Sequence, residues 1–329
     1  MAVATTDAQR MRRALELGAA ARGSTSPNPW VGCVIETADG TGFEGSTQPP
    51  GGHHAEAAAL AAAAGADLRG AVVYVTLEPC SHWGLTPPCA DALIAAGVGR
   101  VVVALEDPDP RVRGQGLARL RDAGVTVETG LLAADARAQL APYFKHRLTG
   151  RPFVTLKLAA TLDGRTAAAD GTSQWITGEA ARTDAHRLRA EVDAVLVGAG
   201  TVRADDPSLT VRHVPGRDPQ RVVLGRIPPG AKVAPALEMT GPPDAVLDDL
   251  GRRGVLSVLV EGGATVAHDF HRAGVVDRYI VYLAPALAGG DDGLAMFRGP
   301  GAATVNDLWR GRIVDVQQVG GDLRLELEA

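Results

Sequence analysis

Short runs rich in β-branched residues alternate with helix-forming runs twice over in this chain, and the alternation breaks once, at Thr149-Gly150-Arg151-Pro152. Strands separated by crossover helices close into a layered α/β domain, and a glycine followed so soon by proline interrupts regular structure. Before the break, Val31–Ile35, Val72–Thr76, Val101–Leu105 and Val125–Glu128 read as strands, separated by helical runs at Ala55–Ala64, Ala90–Ala96 and Gly116–Ala123 and followed by a polar helical stretch over 133–147. After it, Phe153–Leu158, Ala194–Val197, Arg221–Leu224, Leu256–Val260 and Arg278–Leu283 read as strands, with helices near Glu179–Glu191 and Ala264–Arg272. The pattern predicts two α/β domains, 1–147 and 148–329, and 329 residues at roughly 150 per domain accommodate both cores. The proline-rich stretches 214–219 and 228–243 are expected to be surface loops around short strands.

Composition narrows the class of partner. With 46% hydrophobic and 22% charged residues the chain is of ordinary globular make-up. A net charge of -5 argues against a field that gathers long polyanions, so nucleic acid is not an expected partner, although a few local donors suffice for a small phosphate. Residues 1–23 interleave Arg10, Arg12, Arg13 and Glu16 with apolar positions, which suits an amphipathic first helix and not a signal peptide. The most apolar stretch, 55–66, carries Glu56 and falls short of the ~20 residues a membrane span needs. Neither a membrane nor export is expected, and the cytoplasm is the expected location. Three cysteines, Cys33, Cys80 and Cys89, are an odd number that suits a reducing compartment and metal binding better than a disulfide framework. Cys33, inside an apolar strand, is expected in the core.

The chemistry concentrates in one constellation. His54-Ala55-Glu56 opens an alanine-rich helix, Glu78-Pro79-Cys80 closes a strand, and Cys89, with eight residues intervening, heads a further helix. One imidazole and two thiolates hold zinc tetrahedrally with a fourth position left for water, the arrangement of a catalytic site. Helix N-termini favour thiolate over thiol, a local reason for Cys80 and Cys89 to ionise. Residues two apart on a regular helix point roughly 200° apart, so His54 and Glu56 can share one water only at the helix start. Zinc nucleobase deaminases use His-x-Glu with a later Pro-Cys in this way, the glutamate shuttling a proton without ligating the metal.

Three segments, Ser26-Pro27-Asn28-Pro29-Trp30-Val31-Gly32, His54-Ala55-Glu56, and the run from Thr76-Leu77-Glu78-Pro79-Cys80 through Ser81-His82-Trp83-Gly84-Leu85-Thr86-Pro87-Pro88-Cys89, together resemble the deaminase half of the bifunctional riboflavin biosynthesis deaminase/reductase family. The resemblance implies a cytidine-deaminase-like three-layer α/β/α domain. It also implies hydrolytic deamination of 2,5-diamino-6-(5-phosphoribosylamino)pyrimidin-4(3H)-one, with Zn2+ on His54, Cys80 and Cys89, Glu56 catalytic, and Asn28 and His82 binding substrate. Leu85 stands where relatives usually carry Lys or Arg, which removes a phosphate contact, and His53 stands where many have Pro.

The second half is read less sharply from its residues. Gly198-Ala199-Gly200-Thr201-Val202-Arg203 lacks the third glycine of a dinucleotide fingerprint, and Glu261-Gly262-Gly263-Ala264-Thr265 sets two glycines between a buried strand and a helix, where backbone amides can approach a pyrophosphate. These segments, with Leu156–Arg165, Ser173-Gln174-Trp175-Ile176-Thr177 and Arg203–Arg212, look like the reductase half of the same family, so the resemblance covers nearly the whole chain. It implies a dihydrofolate-reductase-like α/β domain that binds NADPH and reduces the ribosyl group to ribityl, giving 5-amino-6-(5-phosphoribitylamino)uracil. It further implies cofactor contacts from Ala159, Trp175, Thr201, Asp205 and the run Gly263, Ala264, Thr265, Val266, Ala267, His268 and Asp269, and substrate contacts from Ser173, Arg189, Leu209, Arg212 and Glu261. Arginine forks suit the substrate phosphate. Lys157 and Asp163 are candidate polar groups at the hydride acceptor, with a salt bridge or turn cap as the other use. The resemblance also implies a homodimer acting on phosphorylated aminopyrimidines.

Two other readings stay open at this point. A nucleoside or tRNA deaminase fused to an unrelated domain predicts a basic or aromatic face near the metal, whereas aromatic residues make up 4% of the chain. A structural-zinc ligand-binding protein predicts a fourth protein ligand and no role for Glu56.

Overall fold

In the computed structural model, which describes residues 2–83, 87–110 and 112–329, the chain divides into two units, Met1–Thr149 and Gly150–Ala329. The first unit runs α1 (Ala2–Ala21), β1 (Gly32–Glu36), β2 (Gly42–Ser46), α2 (Ala55–Ala62), β3 (Val72–Val75), α3 (Cys89–Ala95), β4 (Arg100–Val103), α4 (Gln115–Asp122), β5 (Thr126–Thr129), α5 (Ala133–Gln139) and α6 (Ala141–Thr149). Its five strands are ordered β2-β1-β3-β4-β5, with β1 antiparallel to both neighbours and β3, β4 and β5 parallel. Side chains alternate across each strand. Val34, Tyr74 and Val102 therefore pack under Met11, Ala14 and Leu15 of α1 and Ala136 of α5, while α2, α3 and α4 pack on the other face. Cys33 is fully buried in β1, as its apolar neighbours suggest.

The second unit runs β6 (Phe153–Thr161), β7 (Arg165–Ala167), α7 (Glu179–Glu191), β8 (Ala194–Gly198), α8 (Ala199–Asp205), β9 (Gln220–Leu224), β10 (Leu237–Met239), α9 (Pro243–Arg252), β11 (Ser257–Val260), α10 (Ala264–Arg272), β12 (Arg278–Ala284), β13 (Leu294–Ala295), β14 (Arg312–Val319) and β15 (Asp322–Glu328). Its eight-stranded sheet has the order β10-β9-β8-β11-β6-β12-β15-β14, parallel from β10 through β12 and antiparallel at β15 and β14. Leu156, Leu196, Val258 and Val260 meet Leu247 and Leu250 of α9 and Phe270 of α10 on one face, and Val195, Val197 and Val223 meet Val202 of α8 on the other. Truncating a fully buried residue such as Leu250 to alanine costs about 2–5 kcal/mol.

The alternation expected from sequence is present in both units, with several corrections. The stretch 228–243 contains β10 and delivers α9, whose first residue is Pro243; proline at the first helical position costs no hydrogen bond, so a proline-rich run can end in a helix start. The C-terminal hairpin β14–β15 was not anticipated, although Leu323, Leu325 and Leu327 alternate with charged residues along β15. The polar stretch after β5 is two helices divided at Leu140, and the glycine pattern at 198–203 opens α8.

Candidate functional site

Two helix starts and one loop converge on the metal constellation. His54 is the N-cap of α2 in extended conformation (φ -68°, ψ 165°), Cys89 is the first residue of α3, and Cys80 lies in the loop after β3. Because His54 is not yet helical, the opposed directions of a regular helix do not apply, and it lines one cavity together with Glu56. His54 Nδ1 lies 3.6 Å from Cys80 Sγ and 3.5 Å from Cys89 Sγ, and the three ligand atoms fall within 4.8 Å of one another. Zinc bonded tetrahedrally at about 2.3 Å to sulfur and about 2.0 Å to nitrogen separates such atoms by about 3.5 Å, so the donor set fits that ion. Among the described residues the cluster has three ligands and no fourth, which disfavours a closed structural clip.

The Cys89 thiol, then the His54 imidazole and the Cys89 backbone N–H at 3.3 Å from Cys80 Sγ, outweigh burial and pull Cys80 down to about 4. Cys89 is pushed up, first by its hydrogen bond to Cys80 and then by burial. Glu56 is 4% exposed, and burial followed by the charge on Cys80 pushes its carboxyl up to about 7, near the operating range of a general acid and base.

The cavity has a volume of about 370 Å³ and takes in Asn28, His54, Glu56, Cys80 and His82 among the residues singled out from sequence. Asn28 is fixed by Thr25: the Asn28 N–H donates to the Thr25 carbonyl and the Thr25 hydroxyl donates to the Asn28 carbonyl, both at 2.9 Å. Leu85 and Thr86 lie outside the described residues. Asp107, Asp109, Tyr143 and Arg147 also line the cavity and were not read from sequence. The Tyr143 hydroxyl donates to Asp107 at 3.1 Å, and burial pushes the Asp107 carboxyl up. Beneath the cavity, Glu78 accepts backbone N–H groups from Asp107, Gly114, Gly116 and Leu117, binding the loop that carries Asp107 and Asp109 to the loop that carries Cys80. Gly116 permits this approach, since a Cβ there would sit 1.9 Å from the Pro79 carbonyl oxygen.

In the second unit, chain order reverses between β8 and β11: the chain leaves β8 toward β9 on one side and leaves β11 toward β12 on the other. Ligands of open α/β sheets lie at such a switch, beyond the carboxyl ends of the strands. There the Gly263 N–H donates to the Thr201 hydroxyl at 3.1 Å. A cleft of about 450 Å³ gathers Lys157, Ala159, Ser173, Trp175, Arg189, Thr201, Asp205, Leu209, Arg212, Glu261, Gly263 and Ala264. An adjoining crevice of about 810 Å³ adds Thr265 and Val266.

Three residues of the run do not face the cleft. Ala267 is fully buried in the core beside Phe270, His268 and Asp269 line neither opening, and His268 instead contacts the Pro300 carbonyl at 3.1 Å. They belong to α10, and successive helical positions turn by about 100°, so seven in a row cannot meet one ligand. Asp163 caps a turn, accepting N–H groups from Ala288 (3.1 Å) and Gly289 (2.9 Å). Arg189 lines the cleft with its fork on Glu261 at 2.5 and 2.9 Å. Burial opposes ionisation of Glu261, but Arg189 and then Lys157, at 3.9 Å, outweigh it and lower the carboxyl, while burial lowers Lys157. Arg212 donates to the hydroxyls of Ser208 and Thr210 on an exposed loop. That loop is held by its backbone N–H on His186 Nδ1 at 3.2 Å.

A family model of the RibD C-terminal domain matches residues 152–325, and one of the cytidine and deoxycytidylate deaminase zinc-binding region matches residues 4–105. The riboflavin biosynthesis protein RibD of Mycobacterium tuberculosis is 45% identical over 334 residues, spanning 98% of this chain and 97% of its own. That of Escherichia coli is 40% identical over 365 residues, spanning 98% and 99%. Among solved structures, Acinetobacter baumannii RibD matches with a TM-score of 0.92 at 40% identity over 99% of both chains. A Thermotoga maritima diaminohydroxyphosphoribosylaminopyrimidine deaminase/5-amino-6-(5-phosphoribosylamino)uracil reductase matches with a TM-score of 0.91 at 35% identity, again over 99% of both.

Proposed function

Because the chain belongs to the RibD family of bifunctional riboflavin-biosynthesis deaminase/reductases, we propose that residues 1–147 deaminate 2,5-diamino-6-(5-phosphoribosylamino)pyrimidin-4(3H)-one and residues 148–329 reduce the ribosyl group of the product with NADPH. The observation that carries the first step is the buried Glu56 carboxyl in the same cavity as His54 and Cys80, which with Cys89 make up the donor set. His54, Cys80 and Cys89 would hold zinc, which would supply Lewis acidity toward the attacking water. Glu56 takes a proton from the attacking water, delivers it to the ring nitrogen beside C2, and then protonates the departing amine, so that C2 exchanges its amino group for oxygen and ammonia leaves. Asn28 and His82 bind the pyrimidine edge, the carboxamide of Asn28 offering a donor and an acceptor together.

In the second unit NADPH, when bound, supplies the hydride. Ala159, Trp175, Thr201, Asp205, Gly263 and Ala264, which line the cleft at the sheet's switch point, would hold it. Ser173, Arg212 and Glu261 orient the substrate, and Lys157, kept in place by Glu261, donates a hydrogen bond at the opened ribosyl group. C1′ gains the hydride and the adjacent nitrogen gains a proton. A homodimer is part of the same proposal, supported by the edge strand β14, which exposes Ile313 and Val316. Light scattering on the eluting protein checks it. A reducing, cytoplasmic location suits Cys80 and Cys89, which form no disulfide.

The test is ammonia release from the diaminopyrimidine phosphate by zinc-loaded protein without NADPH, wild type beside Glu56→Ala. Release by wild type alone supports the assignment; equal release by the variant removes Glu56 from it.

A further inference from the structure

The cavity of the first unit holds one side chain to which the chemistry above gives no work. Among the described residues that line it, Arg147 is the single group with a permanent positive charge, the other bases being the imidazoles of His54 and His82. His54 belongs to the metal donor set. The two segments that frame the metal add no further cation, since residues 26–32 and 76–89 contain neither lysine nor arginine. Acids line the same cavity, Glu56, Asp107 and Asp109 among them. A phosphate monoester carries close to two negative charges at neutral pH, so an opening of this make-up repels it unless a cation meets it there.

Helix α6 brings Arg147 to the cavity. Tyr143 and Arg147 stand four residues apart on α6, which puts them on one helix face, and both line the cavity. The Arg147 guanidinium carbon lies 5.0 Å from the centroid of the Tyr143 ring, and that ring is tied to Asp107 through its hydroxyl at 3.1 Å. A guanidinium packed on an aromatic ring is partly ordered before any anion arrives, so less freedom is lost on binding. Its donors are underused. Nη2 reaches only the Pro27 carbonyl, at 3.5 Å, and Nε is buried without a hydrogen-bond partner. Among the described residues no carboxylate pairs with Arg147, whereas Arg10, Arg13 and Arg100 of the same unit are each held by one. A buried N–H without an acceptor costs free energy, and a ligand oxygen relieves that cost.

Burial says which end of a ligand Arg147 meets. Glu56 is 4% exposed, whereas Arg147 is half-buried and touches Pro27, the neighbour of Asn28. A ligand with its ring at Glu56 and Asn28 has its outer end at Arg147. Resting on the assignment of this unit as a deaminase of a phosphorylated aminopyrimidine, we propose that Arg147 grips the ribosyl phosphate of the substrate and makes the first site selective for the phosphorylated compound over its dephosphorylated counterpart. The guanidinium fork bonds two phosphate oxygens at once, and no ion pair is broken when the phosphate arrives.

The test is steady-state ammonia release by full-length, zinc-loaded protein from two compounds, the diaminopyrimidine phosphate and the same molecule with its phosphate removed. Wild type is compared with Arg147→Ala and Arg147→Lys, and zinc content is measured in each. Loss of a charge-assisted contact predicts a KM for the phosphorylated compound raised by about 10- to 100-fold in Arg147→Ala, with kcat and zinc content unchanged. KM for the dephosphorylated compound stays at its wild-type level, and Arg147→Lys recovers part of the loss, since the charge remains without the fork. Ribose 5-phosphate, a competitive inhibitor of wild type on this reading, loses its effect on Arg147→Ala. A KM for the phosphorylated compound that does not change, or an equal rise for both compounds, overturns the proposal, the second outcome marking a merely structural role. Wild type that deaminates the dephosphorylated compound as well as the phosphorylated one overturns the phosphate grip while leaving the deaminase assignment intact. Wild type that releases ammonia from neither overturns that assignment, and the grip with it.

Discussion

Exchanging Glu78 for glutamine tests whether the metal loop is held from below by backbone amides. Glu78 is 4% exposed and stands two residues before Cys80. Its Oε1 accepts from the N–H of Gly116 at 2.9 Å and of Leu117 at 3.3 Å, and its Oε2 from Gly114 at 2.9 Å and Asp107 at 3.1 Å. A carboxamide keeps the size but only one oxygen, so whichever way it is turned one pair of amides faces an NH₂ donor. Buried hydrogen bonds to a charged acceptor contribute about 1.5–3 kcal/mol each, so losing two costs on the order of 3 kcal/mol or more. Against a domain stability of about 5–15 kcal/mol that is a large fraction. Zinc release into a chromophoric chelator, followed across a urea series, reports unfolding of the first unit without interference from the second. A midpoint shift equivalent to less than about 1 kcal/mol would show that the four amides find other partners and that Glu78 does not hold the loop.

Four further outcomes are expected. Glu56→Gln lowers the rate of ammonia release by about 10²- to 10⁴-fold with zinc content unchanged, because the shuttle is lost and no ligand is; metal analysis beside kinetics checks both parts. Gly116→Ala drives a Cβ into the Pro79 carbonyl at 1.9 Å, displaces Cys80 and weakens zinc by about 10- to 100-fold, measured by competition with a chelator. Burial, with the charges of Arg189, Arg212 and His213 adding to it and Glu261 opposing, holds the His186 imidazole down to about 4 against an unfolded value of 6.5. Protons therefore favour the unfolded chain below pH 6.5, and the stability that neutral His186 supplies is lost as pH falls toward 4; melting at neutral pH and at about pH 5 shows a smaller difference in His186→Phe than in wild type. Chelation of the metal abolishes ammonia release while NADPH oxidation on pre-deaminated substrate continues, since His54, Cys80 and Cys89 all belong to the first unit.

What sequence made legible follows from how local each signal is. His54, Cys80 and Cys89 were readable because a metal demands particular side chains, and the resulting motif survives without knowledge of the fold. Glu78 was quoted within the same motif, yet its role was hidden, because its partners are backbone amides from residue 107 onward and an amide leaves no mark in the sequence. Asp107, Asp109, Tyr143 and Arg147 reach the cavity from segments that follow later strands and helices, so only the folded sheet brings them to it. The run Gly263–Asp269 fails in the opposite sense: a string of adjacent residues was assigned to one ligand, and the helix disperses them to a crevice, a core and an outer surface. The pairing of Arg189 with Glu261 was not readable, because four strands, β8 to β11, separate the two residues in the chain.

The central claim is that one chain carries two consecutive activities, and the most direct measurement is product analysis by mass spectrometry from a single preparation. The diaminopyrimidine phosphate is incubated with zinc-loaded protein first without NADPH and then with it. The account predicts exchange of one amino group for oxygen in the first stage and gain of two hydrogens on the ribosyl side in the second, the first stage disappearing in Glu56→Ala. Reduction before deamination, or deamination that persists in Glu56→Ala, would contradict it.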